Sequence, residues 1–249
     1  MTGYPAFGVL LARLMDHHGF DAGSLSKAAG VAESEIGGVL DGTPPSPPLL
    51  RSLAPALGLR TPDLFVIATV PVPEDLAPLD PEAGAIVKGL VWDVTHLPPD
   101  ERSHILQLAR SLPQEARTQP PADAQVLARF EPTFGAVLVA MLRDNRNLPT
   151  WGHTTMVISA LTDFRMCLSS VTVIQIAGMP RMQKPKWLAG LATTLGIPIR
   201  DISALTGIDL PDDPVDPAVA GLADLLWEAR RLTAYQVRSL RSHARALSS

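Results

Sequence analysis

Apolar residues recur along this chain at helical spacing, in short blocks divided by proline, glycine and small polar residues. Phe7, Leu10, Leu11 and Leu14 form the first stripe, which ends near His17, His18 and Gly19. Asp21 is placed to cap a second short helix bearing Leu25 and Ala28, and Gly30 permits the turn before Val31. The next segment, Val31 to Gly42, carries Ile36 and Val39, so helix, turn and helix follow one another closely. Beyond the turn-rich Thr43 to Pro48, the pattern predicts a helix through Leu49, Leu50, Leu53 and Leu57, closed by Gly58. A fifth helix follows, with Thr61 as cap, Pro62 at its start, Asp63 in its first turn and Leu64, Phe65 and Ile67 as its apolar residues.

Two longer amphipathic segments come after Pro71 and Pro73. One carries Ile86, Val87, Leu90, Val91, Trp92 and Val94, and the other, after Leu97-Pro98-Pro99, carries Ile105, Leu108 and Leu112. Together they predict a helical hairpin. Pro113 to Asp123, rich in Gln, Pro and Ala, reads as a linker.

The second half repeats the order of the first. Phe134, Val137, Leu138 and Met141 reproduce the opening stripe, down to the Phe-Gly start at Phe134-Gly135 and Phe7-Gly8. Trp187-Leu188, Leu191 and Leu195-Gly196 answer Leu49-Leu50, Leu53 and Leu57-Gly58, and Asp201 answers Asp63. Trp227, Leu232, Leu240 and Leu247 keep the mutual spacing of Trp92, Leu97, Ile105 and Leu112. The second copy is longer, chiefly around Thr154 to Thr162 and Asp163 to Cys167. Such a repeat predicts a duplicated chain: a helix-turn-helix domain over 1–75, a hairpin over 76–116, a linker over 117–126, a second helix-turn-helix domain over 127–211 and a second hairpin over 212–249.

Within the second copy, Leu168 to Gly178 has the build of a recognition helix. Leu168, the methyl of Thr172, Val173 and Ile176 share one face, which leaves Ser170, Val171, Ile174 and Gln175 outward and Ser169 at the helix start.

Composition narrows the class. Of 249 residues 46% are hydrophobic and only 5% aromatic, and period-two runs of β-branched residues are scarce, so the chain is expected to be all-α with sizeable cores. Its single cysteine, Cys167, excludes an internal disulfide and suits a reducing, cytoplasmic compartment. No signal pattern and no membrane-length apolar run is evident. A net charge of −4 argues against broad electrostatic attraction to nucleic acid, so any such contact must be local.

Both turn motifs resemble the phage-repressor-like, or XRE, family of bacterial helix-turn-helix regulators. The family pattern for the recognition helix reads Val-Ser-x-x-Thr-Ile-x-x-Ile-x-x-Gly, and Leu168, Ser169, Thr172, Val173 and Ile176 fall on it, with Met179 in the glycine's place. Val31, Ile36, Val39 and Gly42 hold the matching positions of the first copy, whose polar positions differ: Ala32 replaces the serine and Glu35 the threonine. The resemblance implies tandem lambda-repressor-like domains and transcriptional regulation through double-stranded DNA. Base-edge contacts would come from Ser169, Ser170, Thr172 and Gln175, and phosphate contacts from Arg181, Lys184 and Lys186.

Glu33 and Glu35 would be repelled by phosphates, which makes the second copy the DNA reader and the first copy, or the hairpins, a surface for a protein partner or a second copy of the chain. Outward Val171 and Ile174 point to the alternative: a protein-interaction or ligand-sensing regulator that kept the fold without binding DNA. His17-His18 has no Cys or acidic residue at metal spacing nearby, Cys167 reads as a small buried apolar residue, and no phosphate loop or carboxylate dyad stands out. No metal, cofactor or enzymatic activity is therefore expected. The Arg230, Arg231, Arg238, Arg241 and Arg245 run reads as a solvated face opposite Val237, Leu240, Ala244 and Leu247.

Overall fold

Fifteen α-helices and no strand occur among the described residues, 3–211 and 221–248, of a computed structural model. The first half contains α1 (Phe7–His18), α2 (Ala22–Ala29), α3 (Glu33–Leu40), α4 (Pro47–Ala56) and α5 (Thr61–Ile67), then the longer α6 (Gly84–Thr95) and α7 (Pro99–Ser111). A single turn of helix, α8 (Val126–Arg129), leads into the second half. There α9 (Phe134–Arg143), α10 (Trp151–Leu161), α11 (Ser170–Gly178), α12 (Pro185–Leu195) and α13 (Ile199–Thr206) precede α14 (Leu222–Ala229) and α15 (Ala234–Leu247). The helix order of the first half thus recurs after α8. The domain edge expected at residue 212 lies outside the described residues.

Local chemistry accounts for most of the boundaries. α1 stops where Gly19 turns left-handed at φ 69°. Asp21 caps α2, its Oδ1 accepting from the Ser24 N–H at 2.7 Å while Ser24 Oγ accepts from the Asp21 N–H at 2.9 Å. The cap expected at Thr61 falls one residue earlier, on Arg60, whose side chain makes no capping bond. Pro62 tolerates this shift because the first helical turn needs no N–H from it.

α1 packs across α3, and α9 across α11, through the same close approach. A Cβ on Gly8 would collide with the Val39 carbonyl oxygen, and a Cβ on Gly135 with that of Ile176. Each glycine stands second in its Phe-Gly pair, and each lets the first helix lie directly on the backbone of the third.

The two halves then interlock. α1 lies against α13 of the other half, and α9 against α5. The longer helices exchange partners too: α6 packs chiefly on α15, and α7 chiefly on α14. The sequence pattern predicts two hairpins each closed on itself, and this exchange is the main correction to the architecture. Val87, Leu90, Val91 and Val94 of α6 are all buried, an apolar face wider than α7 covers, and α15 meets it with Val237, Leu240 and Ala244. One continuous core results, running from Phe7 to Ala244.

Where α5 meets α9, a charged cluster is sealed inside. Asp63 and Arg146 are both fully buried. Their carboxylate and guanidinium pair through both oxygens, with Arg146 Nη2 at 2.6 Å from Asp63 Oδ2 and Asn145 Nδ2 donating to Oδ1 at 2.8 Å. Arg146 also donates to the carbonyl oxygens of Met141 at 3.3 Å and Leu195 at 3.2 Å. Trp227 of α14 lies against three guanidinium groups, those of Arg60 and Arg230 at 4.4 Å and that of Arg146 at 5.0 Å from its ring centre. Burial, and then the neighbouring Arg146 charge, pull both Arg60 and Arg230 down to about 10.

This packing makes definite demands on stability. Gly135→Ala should lower it by about 1–3 kcal/mol through overpacking, whereas Gly37→Ala in α3, where a Cβ meets nothing within 4 Å, should raise it by about 0.5–1 kcal/mol. Asp63→Ala, by leaving Arg146 buried without its partner, should cost about 3–5 kcal/mol. Urea unfolding followed by helical circular dichroism measures all three, with the exposed Arg51–Asp75 pair as a control whose removal barely moves the midpoint.

Candidate nucleic-acid interface

α11 is held by the face its sequence assigns to the core. Val173, Ile176 and Ala177 are buried, and Leu168 packs against the core just ahead of the helix. Ser169 is the N-cap: its Oγ accepts from the Thr172 N–H at 3.1 Å and lies 2.9 Å from Thr172 Oγ1. Those two hydroxyls are therefore occupied with one another and with the helix end. Ser170, Thr172, Ile174 and Gln175 are half-buried, and Val171, at 61% exposure, is the most open apolar residue of the helix.

Basic residues cluster where α11 ends. Pro180–Met182 forms a short 3₁₀ turn, after which Lys184 occupies the N-cap position of α12 with no side-chain cap bond. Arg181, Lys184 and Lys186 are all exposed. Arg181 reaches the Met179 sulfur at 3.5 Å, and the two ammonium groups hover over Trp187 at 5.0 and 6.0 Å from its ring centre. Three cations thus stand within six residues on an open connection, while Ser170 and Gln175 present polar atoms on the helix before it.

The third helix of the first half carries the opposite charge. Glu33 and Glu35 are exposed at the start of α3, and Glu35 Oε2 accepts from the Ala32 N–H at 3.1 Å, an acid serving the helix terminus. Neither α3 nor the stretch Thr43 to Pro48 carries a Lys or Arg.

The connections before these helices also differ. Residues 30–32 join α2 to α3, whereas residues 162–169 join α10 to α11. Asp163 and Phe164 take left-handed backbone conformations in the longer connection, at φ 47° and 57°, and the Thr162 hydroxyl accepts from the Met166 N–H at 3.2 Å. Phe164 meets Trp92 of α6 edge to face at 5.7 Å. Cys167, expected to be buried, is exposed, its Sγ donating to the Phe164 carbonyl at 3.3 Å. Met166 takes the inward position instead.

The basic run near the C-terminus is engaged within the molecule. Arg241 and Arg245 both donate to Asp93 Oδ2, at 2.7 and 2.8 Å. Arg230 donates to the carbonyls of Asn145 and Leu76, and Arg231 to Glu228 and to the carbonyls of Ala109, Arg110 and Leu112. Val237, Leu240 and Ala244 are buried opposite, as expected, but most of the arginine face clamps α6 and α7 instead of meeting solvent alone.

One cluster is invisible in the sequence. Asp201, in the first turn of α13, is buried, and both His17 Nε2 and His18 Nε2 reach its Oδ1, at 3.2 and 3.3 Å. Burial pushes the Asp201 carboxyl above the ordinary carboxylate range, with His18 and His17 pulling the other way. Neither Asp16 nor Asp21 of its own segment joins the histidine pair; folding supplies the acid from the far half.

Comparison with family models, curated proteins and solved structures gives no match. No helix among the described residues is long and apolar enough to cross a membrane.

The two serines at the start of α11 should separate in stability. Ser169→Ala removes the cap and should cost about 1 kcal/mol. Ser170→Ala, which breaks no bond of the helix end, should stay within about 0.5 kcal/mol, and thermal unfolding of the two variants measures the difference.

Proposed function

We propose that this chain is a DNA-binding transcriptional regulator of the phage-repressor-like, helix-turn-helix kind, built as two tandem units of which the second reads DNA. One observation carries the reading: α11 is anchored by Val173 and Ile176, offers Ser170 and Gln175 on its outer side, and is followed at once by exposed Arg181, Lys184 and Lys186. In such a unit the helix enters the major groove. Gln175 suits a bidentate contact with adenine, hydroxyls suit base edges, and the cations hold phosphates and set the register. Ser169 and Thr172, bonded to one another at the cap, act mainly to orient the helix start. Acidic α3 contributes no phosphate contacts, and one chain supplies the two related units that a dimeric repressor draws from two chains.

Val171 supports a second reading. An apolar side chain 61% exposed in the first turn of the outer face fits a protein partner as well as a thymine methyl group. On that reading the fold persists and serves a protein partner in place of DNA.

Fluorescence anisotropy with genomic duplex fragments at several salt concentrations tests the first reading. Arg181→Ala with Lys184→Ala should weaken binding of every fragment and lower the salt slope by about two units, since each phosphate contact contributes about 0.9. Glu33→Gln with Glu35→Gln should leave the slope unchanged. Equal affinity and slope in the Arg181/Lys184 variant overturn the assignment, and no duplex binding by the wild-type chain favours the partner reading.

A further inference from the structure

The first turns of α5 and α13 pose the same electrostatic problem and solve it differently. Asp63 on α5 is buried against the end of α9, and Asp201 on α13 is buried against the end of α1. At Asp63 a permanent cation is built in, the fully buried Arg146, with Asn145 beside it. At Asp201 the corresponding helix end brings no arginine to the carboxylate. It brings two imidazoles, whose Nε2 atoms converge on one carboxylate oxygen.

We propose that His17, His18 and Asp201 form a binding site for a zinc-class divalent ion, which pins the end of α1 in the first half to the first turn of α13 in the second.

The donor set and its spacing both fit. Two imidazole nitrogens and one carboxylate oxygen suit zinc and its neighbours among the late transition metals, and disfavour magnesium or calcium, which take oxygen. A tetrahedral ion with ligands at about 2.0–2.1 Å holds neighbouring donors about 3.3–3.4 Å apart. His17 Nε2 and His18 Nε2 stand 3.2 and 3.3 Å from Asp201 Oδ1, and ligand atoms of all three residues lie within 4.8 Å of one another. Both imidazole nitrogens therefore already stand at ligand spacing from the carboxylate oxygen, and closing on an ion requires the two nitrogens to draw together from within 4.8 Å. Both histidine side chains are about 30% open, which gives the ion an entry path, while Asp201 is 4% open and fixed by its helix.

Three protein ligands leave a fourth position for a water. His17 also lines an open cavity of about 560 Å³, together with Arg13, Asp16, Ile199, Arg200 and Ser203. Arg13 already bridges the same two helices, donating to the Leu205 carbonyl at 2.7 Å, so the ion would reinforce an existing seam. Binding requires both Nε2 lone pairs, so the imidazoles release to solvent any proton they share with Asp201 as the metal enters.

Titration of the untagged, metal-free full chain with Zn²⁺, read by calorimetry and by competition with a chromophoric chelator, is the direct test. His104 and His243, whose rings lie 5.5 Å apart, are the obvious rival site and supply the control. One equivalent should bind, raising the thermal midpoint. His17→Gln and His18→Gln should each weaken binding about tenfold or more and shrink the thermal gain accordingly, while His104→Gln with His243→Gln changes neither. Co²⁺ should give the intense visible absorption of a four-coordinate centre, absent in His17→Gln. Glutamine keeps a polar group beside Asp201, and unchanged helical circular dichroism certifies that each variant is folded. The inference is overturned if the wild-type chain takes up no stoichiometric zinc, if binding survives the combined His17→Gln and His18→Gln substitution, or if it disappears with His104 and His243.

Discussion

The buried pair of Asp63 and Arg146 sets the terms for the rest of the molecule. Removing a carboxylate and a guanidinium from water is costly, and the cost is offset only when geometry is close and the remaining donors are met. Here both carboxylate oxygens are engaged, Asn145 adds a further donor, and the guanidinium reaches two carbonyls, which leaves Arg146 Nε as its one nitrogen without a partner among the described residues. Those requirements fix the end of α9 against the first turn of α5. Trp227 lies against the same guanidinium, and Arg230 bonds the carbonyl of Asn145, so α14 is drawn to the same point. First half, second half and C-terminal helices all meet around one charge pair.

From that junction the exchange of helices follows. The packing is reciprocal, α1 on α13 with α9 on α5, and α6 on α15 with α7 on α14, as two identical subunits would pack across a twofold axis. An interface that each half gives and receives cannot be undone on one side alone. The two halves are therefore not arranged as two beads on a string, and the linker beginning near Pro113 spans two parts packed against each other. Asymmetry enters at α10, which packs on α6 in a way that α2 does not reproduce with α14, and in the long connection from α10 to α11, where Phe164 leans on Trp92.

Local order is largely legible in the sequence, because helices are announced by spacing and ended by glycine or proline. The stripes at Phe7 and Phe134, the cap at Asp21 and the left-handed glycines Gly19 and Gly58 are all local signals. Even the paired Phe-Gly starts point to something shared, which the fold shows to be the close crossing onto Val39 and Ile176. What periodicity does not encode is which apolar face meets which. It marks α6 and α7 as amphipathic without revealing that each packs mainly on the other half. Likewise Asp63 and Asp201 stand out as counterparts, but Asp63 and Arg146 are 83 residues apart, and nothing local matches either aspartate to its partner. The inward turn of Met166, in preference to Cys167, follows a left-handed bend at Asp163 and Phe164, a conformation that Asp tolerates and an aromatic residue seldom adopts. At α11 the helical spacing places Val173 and Ile176 inward, where they lie, while the bond between the Ser169 and Thr172 hydroxyls is not encoded in their spacing alone.

Charge arithmetic sharpens what the proposed DNA reading demands. Three phosphate contacts, from Arg181, Lys184 and Lys186, give a salt slope of about −2.7, so affinity falls only about fortyfold between 50 and 200 mM salt. A reader with six to ten contacts falls by about 10³ to 10⁵ over the same range. Three contacts provide a correspondingly small non-specific affinity, and the tail arginines add little because Asp93, Glu228 and backbone carbonyls already hold most of them. On this reading, tight binding near physiological salt needs cations beyond these three. A second copy presenting its own α11 supplies them most simply, doubling the contacts while the acidic α3 units stay off the phosphates. On the proposed reading, the internal pairing of the two halves would free one half from the DNA without supplying the phosphate contacts that a second chain would bring.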